Sequence, residues 1–224
     1  MNRMECFIIV LALWIFSVCL HEFGHAWAAY CGGDHTVREK GYFTLNPLNY
    51  THPFYSILLP ALFMMSGGIG LPGGAVYIER HLLRSKGWDT WVSLAGPVMN
   101  VAIIFLITLI FRLGLVPLEG GHLSSISLAF LLELQISAVL LNLIPIPPLD
   151  GYQAIAPWLR SQVRDDLDNF SGYGMWLIFG LFRIVPPLNH LFWDVVGGIM
   201  NLLGVPDWLA YEGYTAFQFW RNGF

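Results

Sequence analysis

Long apolar runs alternate with short polar segments along this chain. Cys6 to Tyr30, Trp91 to Leu115 and Leu123 to Leu143 each reach the roughly 20 residues that a membrane-crossing helix needs. Residues 173–185 and 188–203 are also apolar, and Pro186-Pro187 splits them, which predicts a helical hairpin. Residues 54–78 break the pattern. Phe54 to Ser66 is apolar but runs into GGIGLPGGAVYI, whose glycines and proline argue against a straight helix. Residues 34–53 are polar and read as loop or short strand, and 160–168 as a charged loop facing water. The tail from Pro206 to Phe224 carries Trp208, Tyr211, Tyr214, Phe217, Phe219 and Trp220, rings that favour the membrane–water boundary.

Composition supports this reading. The chain is 56% hydrophobic and 12% charged, with a mean hydropathy of +0.59; a soluble domain averages roughly 25% charged residues. A net charge of −4 with scattered basic residues gives no sign of nucleic-acid binding. Cys6, Cys19 and Cys31 fit no metal spacing and read as free thiols. Arg3 is followed at once by Glu5, and the apolar run continues without a small-residue cleavage site. The first run is therefore expected to be a retained span rather than a signal peptide. The expected fold is an all-α multi-pass membrane protein. It has a three-helix catalytic core, a re-entrant or extended β-like segment, a C-terminal helical hairpin and an interfacial tail. Residues 1–160 form the core and 161–224 the hairpin and tail, within one folding unit.

Chemistry enters at His21-Glu22-Phe23-Gly24-His25. Residues i and i+4 share a helix face, so His21 and His25 can grip one ion. Glu22, about 100° further round, can take a proton from water beside it. The motif lies deep in an apolar helix, where ionisable groups are costly and usually functional. A catalytic zinc needs a third protein ligand and an open position. Asp34, His35, Glu39 and His52 are loop candidates and Glu133 lies inside a span. Asn142 to Gly151 is a proline-broken stretch at membrane depth, tolerated only where it is buried or lines a polar cavity.

His21-Glu22-Phe23-Gly24-His25 together with Asn142-Leu143-Ile144-Pro145-Ile146-Pro147-Pro148-Leu149-Asp150-Gly151 resembles the site-2 protease family of intramembrane zinc metalloproteases. Ala95-Gly96-Pro97-Val98-Met99-Asn100 looks like that family's intervening helix. Phe43-Thr44-Leu45-Asn46-Pro47-Leu48 resembles a loop of its bacterial-type branch without PDZ or CBS modules. There the loop often continues His-x-Asp-Pro, where this chain has Tyr50-Thr51-His52-Pro53. The resemblance implies one zinc ion per chain with Asp150 as the third ligand, and a role for Asn142 in binding substrate or the oxyanion. It also implies a single-span membrane substrate, such as an anti-sigma factor or membrane-tethered regulator.

Ligand convergence constrains topology. The helices carrying His25 and Asp150 must end at the same membrane face, so residues 54–78 must cross an even number of times, most simply by entering and returning. Around Gly73 and Gly74 the free backbone could add a strand to an unwound substrate. This arrangement puts Arg38, Lys40, Arg80, Arg84, Lys86, Arg160 and Arg164 on one face and only Arg3 and Arg112 on the other. By the positive-inside rule the first face is cytoplasmic, at the plasma membrane of a bacterium. Glu133 and Gln135 read as a bundle-facing polar pair satisfied by neighbours such as Asn100, or as a water or substrate gate. Asp194 and Asn201, seven residues apart, are expected to pack on the core. The rival readings are a metal-binding chaperone or regulator without catalysis, and a metal transporter built on a broken helix.

Overall fold

The structure is a computed structural model that describes residues 3–49 and 76–220. Its regular elements among the described residues are all helical: α1 (Arg3–Gly32), α2 (Thr36–Glu39), α3 (Lys86–Arg112), α4 (Leu123–Asn142), α5 (Asp150–Ile155), α6 (Ser161–Asn169), α7 (Ser171–Ile184), α8 (Pro186–Leu203) and α9 (Asp207–Phe217), with short 3₁₀ turns between them. α1, α3 and α4 are long and apolar enough to cross a membrane, and a fourth span results if the bent α7–α8 pair is counted as one.

α1 and α3 each begin at a charged residue ahead of their apolar runs. α1 begins at Arg3 and stops where Gly33 adopts a φ of 120°. Ser85 caps α3 by accepting a hydrogen bond from the Trp88 amide at 3.2 Å, so this helix starts at Lys86, ahead of the apolar run that opens at Trp91. Pro97 lies inside α3 rather than near its opening, and removes the ladder bond that would reach the Ser93 carbonyl.

α1 and α3 form the tightest pair. Gly24, Ala28 and Gly32 fall four residues apart on α1 and are all buried. Small residues at that spacing let two helices approach closely. A Cβ on Gly24 would come within 2.8 Å of the Ala95 carbonyl oxygen. Beside this seam runs the main core: Cys6, Val10 and Trp14 of α1, Ile107 and Phe111 of α3, Phe130 and Leu134 of α4, Met200 of α8, and Leu209 and Phe217 of α9. On α3, Phe105, Leu106 and Leu109 point outward and exposed, as expected of a surface wetted by lipid rather than water.

The ends of α1, α3 and α5 meet at one end of the bundle. The Arg84 amide bonds to the Gly32 carbonyl at 2.9 Å, and the Thr90 hydroxyl to the Ala154 carbonyl at 2.7 Å. Arg80 pairs with Asp89, and Lys40 with Glu79 at 3.0 Å. At the far end the Arg112 side chain donates to the Leu203 carbonyl at 3.0 Å, and the Cys6 thiol lies 3.7 Å from the Gly213 carbonyl.

Four expectations change. Residues 161–169 form a helix, α6, whose polar sequence holds no buried residue. α7 and α8 turn by 96°, so they are bent rather than folded back as a hairpin; Pro186 and Pro187 sit in the first turn of α8, where a missing N–H costs nothing. The aromatic tail is not simply interfacial. α9 buries Leu209, Ala210, Gly213, Ala216 and Phe217 against the bundle, and Phe7 meets the Phe217 and Phe219 rings at 5.0 Å. Only its other face, with Trp208 and Tyr211, is exposed. Asp194 and Asn201 do share a face of α8, but it is the exposed one; Val196 and Met200 make the packing.

Candidate metal centre

His21 and His25 occupy successive turns of α1 on the side facing α3, and Asp150 is the first residue of α5. The chain reaches Asp150 through the turn at Pro145–Leu149, which doubles back so closely that a Cβ on Gly151 would overlap the Leu143 carbonyl. The three side chains converge. His21 Nε2 lies 3.0 Å from His25 Nε2 and 3.2 Å from Asp150 Oδ2, and His25 Nε2 lies 3.4 Å from Asp150 Oδ1. Ligand atoms arranged tetrahedrally around an ion at roughly 2.0 Å stand about 3.3 Å apart. These spacings match that figure, and the three residues form a group able to hold a metal.

Proton positions strengthen the fit. His25 Nδ1 is 2.7 Å from the Val92 carbonyl, which can only accept, so Nδ1 carries the proton. His21 Nδ1 faces Asn100 Oδ1 in the same sense. With Nδ1 carrying the proton of each ring, the Nε2 atoms are the positions left to bind a metal, and they face each other and a carboxylate. Asp150 Oδ2 is buried without a hydrogen-bond partner. A bound cation would satisfy this crowded set of nitrogen and carboxylate donors, and two imidazoles with one carboxylate are a zinc donor set that leaves a position open. The cavity is shaped for this: a methyl group on Gly96 would overlap Nε2 of both histidines.

Glu22 is buried, and one carboxylate oxygen accepts the Val76 amide at 3.1 Å. That bond orients the carboxylate and leaves its other oxygen for chemistry. The charge lies within electrostatic reach of His21, His25 and Asp150.

The remaining candidates fall elsewhere. Asn142 is buried at the last residue of α4 and makes no hydrogen bond to the three ligand candidates among the described residues. Gly73, Gly74 and His52 lie outside the described residues, as does the return path expected for 54–78 up to residue 75. Asp34, weighed as a third ligand, is a fully buried structural group. It accepts the Thr36 amide at 3.0 Å and the Glu79 amide at 2.8 Å. Glu133 and Gln135 do not act as a pair. Gln135 faces α1 and α3 and bonds to Asn100, whereas Glu133 lines a cavity of about 510 Å³ shared with Trp193, Asp207, Trp208 and Tyr211. The sequence reading missed the Val92 carbonyl and the Val76 amide, since main-chain groups carry no residue signature. It also gave Asn100 no part in holding a ligand, although its place three residues after Pro97 in the Ala95-to-Asn100 motif was a usable signal.

The chain is 43% identical over 218 residues, 97% of its length, to the "Putative zinc metalloprotease Rip2" of Mycolicibacterium smegmatis, and covers 83% of that protein. It is 42% identical over the same length to the protein of that name from Mycobacterium tuberculosis, again covering 83% of it. Over 188 residues, 81% of this chain and 83% of the relative, it is 30% identical to the "Putative zinc metalloprotease YwhC" of Bacillus subtilis. No protein-family model and no solved structure matches it.

Proposed function

Because the chain belongs to the site-2 protease family, with Rip2 and YwhC among its relatives, we propose that it is an intramembrane zinc metalloprotease. It hydrolyses peptide bonds in or near the transmembrane segments of single-span regulatory proteins, such as an anti-sigma factor or a membrane-tethered regulator. The observation that carries this reading is the convergence of His21, His25 and Asp150 on one point, with the Glu22 carboxylate beside it.

When bound by these three residues, one zinc ion supplies a Lewis acid that polarises the scissile carbonyl and acidifies water. Glu22 takes the water proton and later returns it to the leaving amine. The Val76 amide holds one of its oxygens so that the other faces the reacting atoms. Asn142 donates its amide to the developing oxyanion, an interaction worth about 3 kcal/mol where such donors have been removed from other enzymes. The backbone at Gly73 and Gly74 pairs with substrate that has unwound from its helix. Unwinding is required because helical carbonyls are already hydrogen-bonded, so helix-weakening residues near the scissile bond favour cleavage.

The basic residues Arg38, Lys40, Arg80, Arg84 and Lys86 gather at the end of the bundle where α1 ends and α3 begins. By the positive-inside rule that end faces the cytoplasm of a bacterial plasma membrane. The test is cleavage of a single-span substrate by the purified chain with and without a chelator, alongside Glu22→Gln. That variant should keep its zinc and lose cleavage by at least a hundredfold. Undiminished turnover in Glu22→Gln, or in the chelated wild type, would overturn the reading.

A further inference from the structure

A closed loop of buried polar side chains joins α1, α4 and α3 behind the metal centre. The Ser17 hydroxyl donates to the Trp14 carbonyl at 2.7 Å. Gln135 Nε2 donates to Ser17 Oγ at 2.7 Å, and Asn100 Nδ2 donates to Gln135 Oε1 at 2.6 Å. Asn100 Oδ1 then meets His21 Nδ1, and His21 lies one turn beyond Ser17 on α1. Ser17, Asn100 and Gln135 are each at most 3% exposed, so water does not compete for their bonds.

The order of donors follows from one fixed end. A main-chain carbonyl can only accept. With the Ser17 proton committed to Trp14, Ser17 Oγ must accept from Gln135. That turns the Gln135 oxygen toward Asn100, which must donate its amide there and present its own oxygen to His21. His21 Nδ1 is thereby required to carry a proton, and its Nε2 is left as a lone pair. Running the amides the other way would forfeit the bond to Trp14, put a donor against Nδ1, and force a proton onto the nitrogen that faces His25 and Asp150.

We propose that Ser17, Gln135 and Asn100 form a one-way relay that fixes the tautomer and ring orientation of His21, making them positioning residues for metal binding. The inference rests on the metal-binding half of the proposed function and not on catalysis. Partners of ligating histidines elsewhere typically change metal affinity by 10- to 100-fold when removed. The hydrogen bonds of the Ser17 hydroxyl go to Trp14 and Gln135 and not to a ligand side chain, so an effect of that hydroxyl on affinity is expected to travel through the two amides.

The test is zinc affinity of the purified full-length chain, measured by competition with a chromophoric chelator, with thermal midpoints of the metal-free forms as the control for folding. Asn100→Leu should weaken zinc binding by 10- to 100-fold. Asn100→Asp, whose carboxylate only accepts, should stay within about threefold of wild type because it keeps the proton on His21 Nδ1. Ser17→Ala removes a single oxygen atom and should weaken zinc severalfold, while the metal-free midpoint falls only modestly through the lost acceptor of the Gln135 amide. Equal losses in Asn100→Asp and Asn100→Leu, or wild-type affinity in Ser17→Ala, would overturn the relay while leaving the metal centre standing. A wild-type chain that takes up no zinc would overturn the metal reading, and the relay's role with it.

Discussion

His21 and His25 are held by different kinds of partner, a side-chain amide and a main-chain carbonyl. Between them Gly96 leaves no room for a methyl group. Gly96→Ala should therefore displace the imidazoles and cut zinc content to under about a tenth of one ion per chain, read by elemental analysis of the purified protein; full occupancy would mean that α3 can retreat. Most of this residue-scale picture was legible. HExxH at depth in an apolar run singled out the two histidines, and the proline-broken stretch marked the region of the third group; Asp150 itself was implied by the family resemblance, and the structure brings the three side chains together. What the sequence hid is the outer layer of support. The Val92 carbonyl and the Val76 amide look like any other peptide group, and Gln135 reads as half of a polar pair until α4 is placed and its neighbour Glu133 turns to the opposite side.

At the scale of elements, the three long helices were readable because their apolar runs are long, and α4 matches its run to within one residue, but the charged starts of α1 and α3 were not readable. Arg3 and Lys86 start α1 and α3 ahead of their apolar stretches, since charged residues are good helix formers once outside the hydrocarbon, whereas α3 stops at Arg112, short of Leu115. α6 was taken for a loop because none of its residues is buried. α9 was misjudged by counting aromatic rings without asking which face they occupy. Its buried positions 209, 210, 213, 216 and 217 make one apolar stripe. The seams that result are narrow. Gly24→Leu should wedge α1 from α3 and cost about 1–3 kcal/mol by overpacking. Gly213→Val, where a Cβ would strike the Ile126 carbonyl, should loosen α9 with a cost of similar size. Each is checked by the thermal midpoint in detergent, and a midpoint equal to wild type would show that the helix pair can spread without penalty.

For the whole molecule, the ends of α1, α3 and α5 lie together, so Ser85 and Ser161, at the starts of α3 and α6, should share a membrane face. Cysteines placed at these two positions should react with an impermeant thiol reagent from the same side; labelling from opposite sides would refute the topology. Zinc should also stabilise the entire bundle, by about 2.7 kcal/mol when free ion stands at 100 times its dissociation constant. Chelation should accordingly lower the unfolding temperature of wild type, and leave unchanged that of a variant in which His25 is replaced by Ala. The spacing of the three ligand candidates along the chain has a consequence for biosynthesis. Two of them leave the ribosome together on α1, and the third follows more than a hundred residues later. Chains are made and inserted from the N-terminus onward, so a nascent or prematurely terminated product lacks a complete set of metal donors until synthesis has passed Asp150.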